Sequence, residues 1–523
     1  MWFKRMLLQR NFYKENPTLL KTRTNHLMDA EEPALTSLPD VAALRVLSFL
    51  AVADLYAVAV VSPRLRALMR AHRALWRHRR ARLRGPEALA AVLRVAPPWD
   101  TLELRVRARA DLGDGDTDRD RSSGGAPSPV HIDMFTSRML VVTVFSAPAA
   151  VELVARLGRQ AKHLKIYLDT PQAGAGAAAS VGPLMQSLRQ ARALETLCVR
   201  WDWSSPVSPE DAWPPNSVLP SLHTVDLECP PRPRGVAPAG TPAAVELSCL
   251  RELLLAHRAQ LHCAALRSPE LLPLLQLLPD HLLRLTVAVD PGLGNGAALT
   301  AGLKRMHSLK ELKFVRMEEE HKLAGLLRSW QGPLQCLKLP ACSEETARAL
   351  GAGALSRLEH LHLNGIASGG APLAAALAGL PRLRTLVLRT PPAPDVLRAI
   401  PAATVPALCL LYIMRDPSPS GGPSPASASA TALRDLVLRA PKSLHVIRPA
   451  LALPSGDAPP APATAPARSA RPTHIYGRHP PDESDLCPGC VEARATSKLL
   501  MLSPGRLHYV CVTPKTNPNG RRT

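Results

Sequence analysis

The chain has 523 residues, of which 46% are hydrophobic, only 4% are aromatic and 53 are prolines, so we expect an aliphatic core surrounded by many loops, in two or three domains. The formal net charge of +21 makes acidic partners and nucleic acid candidates, although most of the charge comes from arginines spread along the chain. Ten scattered cysteines argue against a disulfide scaffold, and no apolar run reaches signal-peptide or membrane-span length. We therefore expect a soluble intracellular protein, cytoplasmic or nuclear or both, with no membrane partner.

Three short helical patterns follow a flexible N-terminus of residues 1–34 and fill residues 35–83. Pro39 suits the start of the first helix, whose apolar stripe comprises Ala43, Val46, Leu47 and Leu50. Asp54 can cap the second helix and Pro63 can open the third. Helices this short are marginal alone, so they must pack on each other or on a partner.

The same segment resembles the F-box. The residues that carry the resemblance are Leu38, Pro39, Val46, Leu50, Asp54, Leu55, Val61, Leu75 and Trp76. It departs from the motif at Val41, Ser62 and Leu65, where Glu, Cys and Trp are common. The resemblance implies that the Skp adaptor is bound by Leu38, Pro39, Val46, Leu50, Leu55, Val61, Leu75 and Trp76. The alternative is a generic helical hairpin.

A basic stretch, "RAHRALWRHRRARLRG", covers residues 70–85 at the end of this segment. It could bind phosphates or serve as a nuclear-localisation signal. We favour a solvated helix face and exit segment, because Trp76 is the only phenylalanine, tyrosine or tryptophan among the arginines, which is too few to stack a series of bases. Nucleic acid is therefore not our expected partner.

A repeat of the form aliphatic-x-x-aliphatic-x-aliphatic recurs over residues 99–448. Its clear copies begin at Leu194, Leu250, Leu309, Leu334, Leu358, Leu383, Leu408 and Leu433, and its looser copies at Trp99, Met139, His163, Leu222 and Leu282. The copies from 309 to 433 follow one another at intervals of 24 or 25 residues. A constant period of this length is typical of a leucine-rich-repeat solenoid, in which each copy contributes one strand to a parallel sheet.

The segments between copies predict the return path to the next strand. Leu323, Leu326, Leu327 and Trp330 have helical spacing, and Pro372 can begin a helix that buries Leu373, Leu377 and Leu380. Cys342 alone stands at the position where such repeats usually carry Asn or Cys. Flexible insertions are predicted at 111–130, 171–181, 204–220, 230–244 and 416–431, and a Pro/Ala-rich linker at 449–482.

An F-box followed by leucine-rich repeats resembles the substrate-recognition subunits of Skp–cullin–F-box ubiquitin ligases. The predicted fold class is accordingly α/β: a short all-helical F-box and a repeat solenoid whose parallel sheet lines the concave face. The resemblance implies a non-catalytic adaptor that binds the Skp adaptor, and cullin through it, and holds an unknown protein substrate. Two alternatives stay open: a basic nuclear scaffold bound to nucleic acid or chromatin, and an F-box scaffold that does not ubiquitylate.

The substrate surface is predicted from the third and fifth positions of each copy, which point out of the core. These positions are polar in the early copies and charged in the middle ones: Thr196, Cys198, Thr224, Asp226, Glu252, Arg284, Glu311, Lys313 and Lys338. The late copies place Thr385, Val387, Leu410, Tyr412, Asp435 and Val437 there. We hypothesise an apolar substrate site of Val387, Leu410, Tyr412 and Val437, with Arg389 and Arg439 at its rim; the alternative is that a loop or the tail covers this strip.

Two groups of potential metal ligands occur. Cys336, His360 and His362 fall on neighbouring repeats without an evident fourth ligand, so we expect no metal there. In the tail, 483–523, Cys487 and Cys490 are separated from His508 and Cys511 by the spacing of a zinc ribbon. The function requires no cofactor; a structural zinc bound by these four residues, or an unstructured tail, are the two interpretations.

Overall fold

The structure is a computed structural model. It describes residues 38–413 except 77–78, 85–90, 98, 108–128, 137–138, 145–146, 170–180, 202–212, 214–216, 230–247, 290–295, 316–319, 367–369, 390–391, 393 and 401–406, and also 432, 435–436, 444–449, 473–477 and 507–511. The chain divides into two compact units, Met1–Leu153 and Val154–Thr523. Among the described helices, none is long and apolar enough to cross a membrane.

The described part of the first unit starts with three α-helices and a 3₁₀ turn. They are α1 (Asp40–Leu47), α2 (Val52–Val61), α3 (Pro63–Ala71) and the turn Arg73–Trp76. Pro39 stands at the N-cap of α1, and Pro63 opens α3 as predicted. Asp54 does not cap α2; it lies in the first turn of that helix, and Ala51 is the N-cap without a side-chain hydrogen bond. A carboxylate there still favours the helix, because it faces the positive end of the helix dipole.

The described strands of the first unit are β1 (Arg79–Arg84), β2 (Thr101–Arg107), β3 (Pro129–Thr136) and β4 (Met139–Val144). β1 pairs antiparallel with β3, β3 pairs antiparallel with β4, and β2 runs parallel to β4. The expected helix face in the basic stretch is therefore wrong in its second half, because Arg79–Arg84 is a strand. Its partner β3 also begins inside the insertion predicted at 111–130.

The second unit is built on parallel strands that pair in chain order. They are β5 (His163–Asp169), β6 (Thr196–Trp201), β7 (Thr224–Glu228), β8 (Cys263–Leu266), β9 (Arg284–Val287), β10 (Glu311–Phe314), β11 (Cys336–Leu339), β12 (His360–Leu363), β13 (Thr385–Leu388), β14 (Leu410–Ile413) and β15 (His445–Pro449). Each is hydrogen-bonded in parallel register to the next. This ladder is the repeat sheet that the sequence spacing predicts.

Helices supply the return connections between these strands. They are α4 (Ala147–Leu157), which crosses the boundary of the units, α5 (Val181–Leu188), α6 (Ser248–His257), α7 (Gly296–Arg305), α8 (Glu320–Arg328), α9 (Glu344–Leu350), α10 (Gly370–Ala378) and α11 (Pro394–Ala399), with a 3₁₀ helix at Pro269–Leu277. The apolar residues predicted for α8 and α10 are buried, including Leu323, Leu327, Leu373 and Leu377. Their burial against the strands forms the aliphatic core.

Two of the clear repeat copies are helices instead of strands. The copy at Leu250 lies in α6, where Leu250, Leu253 and Leu254 are buried. The copy at Leu433 falls in a stretch whose described residues, Ala432, Asp435 and Leu436, are helical. Leucines at i, i+3 and i+5 satisfy the strand motif, but i, i+3 and i+4 also form a helix stripe, so the pattern alone does not separate them. The strands of those repeats are β8 and β15.

The sheet continues past the repeats into the C-terminal region. β16 (Thr473–Gly477) pairs antiparallel with β15, and β17 (Leu507–Cys511) runs parallel to β16. β16 lies within the segment predicted as a Pro/Ala-rich linker, where "THIY" alternates polar and apolar residues in the manner of a strand.

One predicted insertion, 204–220, contributes to the core. Trp213 is fully buried and its indole Nε1 donates to the Ser217 carbonyl at 2.6 Å. Its ring meets the His257 imidazole edge-on, with the ring centroids 5.5 Å apart. Leu219 is buried beside them. Trp213 and Leu219 of this segment therefore belong to the core, to which a tryptophan contributes a large apolar surface. The other predicted insertions lie mostly outside the described residues.

Candidate functional site

Half of the residues that the F-box resemblance assigns to adaptor binding form part of the core of the helical module. Leu50, Leu55, Leu75 and Trp76 are buried, and the indole Nε1 of Trp76 donates to the Met69 carbonyl at 3.0 Å. Leu38 and Val46 are half-buried, whereas Pro39 and Val61 are exposed. The interpretation of the aliphatic stripe as a free docking face needs correction, because Ala43, Leu47 and Leu50 pack inward.

A different set of apolar side chains faces solvent on this module. Val41 is 80% exposed, Phe49 79%, Val60 57% and Val61 68%. We call these four residues the apolar surface of the F-box. Exposed apolar side chains of this size on one small module are typical of surfaces that another protein covers. Of the four, the sequence interpretation included only Val61. The sequence of α2 could have indicated exposed apolar residues, since "VADLYAVAVV" is apolar on more faces than one buried stripe requires.

Polar contacts at the start of α1 and α3 hold these residues in place. The Arg64 guanidinium donates to the Leu38 carbonyl at 2.8 Å and pairs with the Asp40 carboxylate at 2.6 Å. The hydroxyl of Ser62 caps α3 by accepting from the Leu65 amide at 3.3 Å. Because Ser62 directly follows α2, these contacts bring the C-terminal end of α2, with Val60 and Val61, to the same end of the module as Val41.

Arg79 anchors the chain after the helices. Its guanidinium donates to the carbonyls of Leu47 (3.1 Å) and Ser48 (2.9 Å) at the end of α1, and to that of Leu75. The Leu47 carbonyl also accepts from the Leu50 amide at 3.2 Å, so the arginine adds a second donor at the end of α1. Burial lowers the pKa of Arg79. The charged group lies beside a cavity of about 420 Å³ lined by Leu44, Arg45, Ser48, His72, Ala74, Leu75 and Arg79.

In the second unit, alternate strand residues point away from the core, as predicted for the substrate surface. In β10, Leu312 and Phe314 are buried whereas Glu311 and Lys313 are half-buried. The same alternation places Cys336 and Lys338 on this face in β11, and His360 and His362 in β12. We call this side of the sheet the outer face. Glu252 was predicted there wrongly, because it lies on α6.

Ion pairs order the charged middle of the outer face. Lys338 Nζ lies 2.5 Å from Glu311 Oε1, and Arg284 Nε lies 3.7 Å from Glu311 Oε2. Burial raises the pKa of Glu311, but hydrogen bonding to Lys338 and the charges of Lys338 and Arg284 lower it overall. Arg267 makes a two-pronged pair with Asp226, at 2.6 and 2.7 Å. The lowered pKa keeps Glu311 ionised at neutral pH.

The apolar strip predicted as the substrate site is buried. The relative solvent accessibility is 2% for Val387, 0% for Leu410 and 1% for Tyr412. Thr385 and Leu411 are also buried. Burial raises the pKa of Tyr412. Val387 and Tyr412 are in register with the outer-face residue His362, so they are covered on that face and do not offer an open docking surface, in line with the alternative of a covered strip. Arg389 is exposed, and Val437 and Arg439 lie outside the described residues.

The cysteine and histidine side chains of the outer face do not form a reactive site. Burial raises the pKa of Cys336 to about 11 and that of Cys198 to about 12, so both thiols stay protonated at neutral pH. Burial also lowers the pKa of His362 to about 3, which keeps its imidazole neutral. Within the described ranges, no group of three or more His, Cys, Asp or Glu residues is placed to hold a metal ion.

The predicted zinc ligands of the tail fall largely beyond what the structure describes. Cys487 and Cys490 lie outside the described residues, whereas the backbones of His508 and Cys511 lie in β17. Those two residues oppose His474 and Gly477 of β16. The zinc site stays a prediction.

Comparison with known proteins adds one decisive observation. The F-box-like family matches residues 35–82, which span α1 to α3 and the start of β1. These residues are an F-box-like domain. The comparison with curated proteins gave no match. Among solved structures, an internalin from Listeria monocytogenes is similar to 50% of this chain and 77% of that chain, at 12% identity and a TM-score of 0.25. The predicted fold class, a helical F-box followed by α/β repeats on a parallel sheet, is confirmed.

Proposed function

We propose that this protein is a substrate-recognition subunit of a Skp–cullin–F-box ubiquitin ligase. Its F-box-like domain would dock on the Skp adaptor, and through it on cullin, while the repeats hold a protein substrate. The chain would act in the cytoplasm, the nucleus or both. The observation that carries the proposal is the apolar surface of Val41, Phe49, Val60 and Val61 on a domain of the F-box-like family.

The physical argument starts from the cost of exposing these side chains to water. Burying a valine or phenylalanine side chain contributes about 1.5–3 kcal/mol, so a partner that covers several of them gains enough to bind specifically. The helices that present these residues are already packed through Leu47, Leu55 and Trp76. Such a preformed surface binds with little loss of conformational freedom.

The proposed mechanism is proximity, and it requires no catalytic side chain from this protein. A receptor that holds the substrate and the ligase at once raises the effective concentration of substrate lysines near the conjugating enzyme. The chemistry of ubiquitin transfer then belongs to the other subunits.

Adaptor capture tests the role of the apolar surface. The double variant Val60→Asp/Val61→Asp should lower affinity for the purified Skp adaptor at least roughly tenfold, because two charges would have to be buried in the interface. The F-box core should remain folded, since both side chains face solvent. Leu50→Asp is not a suitable variant, because Leu50 is buried and the new charge would unfold the domain.

Val218→Asp is the matched control, because Val218 is also an exposed valine, 52% accessible, but lies in the second unit. It should capture the adaptor as the wild type does. Equal capture by Val60→Asp/Val61→Asp would refute the assignment of this surface. Adaptor capture without ubiquitylation of any bound protein, in an assay reconstituted with cullin, would leave an F-box scaffold in place of a ligase receptor.

A further inference from the structure

Two lysines lie directly opposite each other on the outer face of the sheet. Lys313 of β10 and Lys338 of β11 are in register, on strands that lie about 4.8 Å apart. Both are half-buried, so water screens their repulsion only in part. Like charges directly opposite on neighbouring strands destabilise a sheet. Glu311 offsets the charge of Lys338, so the remaining cost of this arrangement falls on Lys313.

The described carboxylates near these lysines are already engaged by other cations. Glu311 pairs with both Lys338 and Arg284, and Asp226 accepts hydrogen bonds from Nε and Nη2 of Arg267. Among the described residues, Lys313 has no ion-pair partner. Burial lowers the pKa of Lys313, the nearby charges of Arg267, Lys338 and Arg389 lower it further, and the charge of Asp226 offsets part of this effect. The middle of the outer face is thus a basic surface in which cations outnumber carboxylates and Lys313 forms no salt bridge with a described residue.

The surroundings of the lysine pair extend the basic surface across several strands. Arg284 of β9 is exposed on one side, and Arg389, directly after β13, is exposed on the other. His362 is in register with Lys338 and is neutral, so it can exchange a hydrogen bond with a ligand without adding charge. An extended chain that crosses the strands could therefore meet a cationic side chain on each of several consecutive repeats.

We infer that this basic surface, centred on Lys313 and Lys338 and flanked by Arg284 and Arg389, binds an acidic peptide segment of a protein partner. A carboxylate between the two ammonium groups would replace their repulsion with two charge-assisted hydrogen bonds. The inference rests on the proposed function for the partner being a protein substrate, and it adds the chemical class of the segment recognised.

Nucleic acid fits this surface less well than an acidic peptide does. The basic surface contains Glu311 and Asp226, which repel a continuous phosphate backbone, and among its described residues no tyrosine, phenylalanine or tryptophan is exposed for base stacking. The alternation of cations with carboxylates suits a peptide whose acidic side chains are separated by uncharged ones.

The test measures binding of a fluorescently labelled oligoglutamate peptide to the full chain by anisotropy. The wild type should bind with an affinity that falls as salt increases. Lys313→Gln/Lys338→Gln should weaken binding at least roughly tenfold, as expected for the loss of two charge-assisted hydrogen bonds. Lys304→Gln/Arg357→Gln removes the same charge from exposed positions on a helix and a turn, and it should stay within about twofold of the wild type.

Folding of the variants is checked by thermal unfolding. Arg389→Gln gives a second variant, at an exposed position that does not endanger the fold, and it should weaken binding by a smaller factor. Unchanged peptide binding by Lys313→Gln/Lys338→Gln, or an equal loss in the control double variant, would overturn the inference. So would a phosphoserine peptide or a single-stranded oligonucleotide that binds more tightly through the same lysines.

Adaptor capture by the same preparations separates this inference from the proposed function. If the protein captures the adaptor but does not bind the oligoglutamate peptide, the inference about the basic surface is refuted and the receptor proposal is unaffected. If the protein binds the peptide through Lys313 and Lys338 but does not capture the adaptor, the inference about the basic surface is supported and the receptor proposal is refuted.

Discussion

At the scale of single residues, His257 shows how a polar side chain is accommodated in the repeat core. Its Nδ1 lies 2.8 Å from the Leu253 carbonyl oxygen, and its Nε2 accepts a hydrogen bond from the Leu219 amide at 2.9 Å. The first contact requires a proton on Nδ1 and the second requires a lone pair on Nε2, so the imidazole is neutral. Burial lowers the pKa of His257, and the hydrogen bond to Leu253 offsets part of that effect.

This geometry predicts that stability falls in acid. Above the ordinary histidine pKa of 6.5, His257 is neutral in both states and its contribution is complete. As the pH falls below 6.5, the unfolded chain takes up a proton that the folded chain resists, so the free energy of unfolding decreases. His362 acts in the same direction, because its folded pKa is lowered to about 3. Urea unfolding at pH 7.5 and pH 5.5 should show the loss.

Replacing His257 separates its contribution from that of other groups. His257→Leu should cost about 1–3 kcal/mol at neutral pH, because the Leu219 amide loses its acceptor inside the protein, and it should make stability less dependent on pH. The exposed His307 supplies the control, since His307→Leu should preserve the wild-type pH dependence. Identical pH profiles for His257→Leu and the wild type would contradict this account.

At the scale of elements, the spacing of leucines predicted most strands of the repeats because a regular period leaves few alternative registers. It failed for the copy at Leu250, which lies in α6, and for the copy at Leu433, whose described residues Asp435 and Leu436 are helical. β8 was missed because its motif, "LHCAAL" from Leu261, carries alanine where the pattern expects a large aliphatic residue. Ala264 is nevertheless buried like the leucines of neighbouring strands.

The functional surfaces were less predictable than the fold. The F-box motif marks residues such as Leu55 and Trp76 that determine its packing, but it does not show which apolar residues remain exposed, as Phe49 does. Likewise, the strand pattern placed Tyr412 on the outer side without showing that it becomes buried. Exposure depends on what the rest of the chain covers, and a local pattern contains no such information.

Close packing between consecutive repeats gives a prediction about glycine. A side chain at Gly379, which follows α10, would place its Cβ 2.6 Å from the Gly351 carbonyl oxygen and 2.8 Å from the Gly351 Cα. These are backbone atoms that cannot rotate away, so Gly379→Ala must push α10 away from the end of α9. We expect a loss of about 1–3 kcal/mol, measured by urea unfolding.

Gly325 provides the matched control, because it lies within α8 and a Cβ there would meet nothing within 4 Å. Gly325→Ala should stabilise the protein by about 0.5–1 kcal/mol, because alanine favours the helix. If Gly379→Ala were as stable as the wild type, the close approach of the two glycines would not limit the packing of these repeats.

At the scale of the whole molecule, the two proposed binding surfaces differ in chemistry as well as in place. The F-box surface is apolar and belongs to the first unit, whereas the basic surface lies in the second. An apolar interface is little affected by salt, while a surface of lysines and arginines loses affinity as ionic strength rises. Salt therefore offers a way to weaken substrate binding while adaptor binding persists.

The proximity mechanism requires both surfaces on one chain, and this leads to the last prediction. Val60→Asp/Val61→Asp and Lys313→Gln/Lys338→Gln should each abolish ubiquitylation of a reporter protein that carries an acidic segment, in a reconstituted ligase. Mixing the two variants should not restore it, because the chain that holds the reporter is then not the chain that docks on the adaptor, and the gain in effective concentration is lost. The wild type at the same total concentration is the control. Restored activity in the mixture would mean that separate chains can share one complex, and it would exclude the single-chain mechanism.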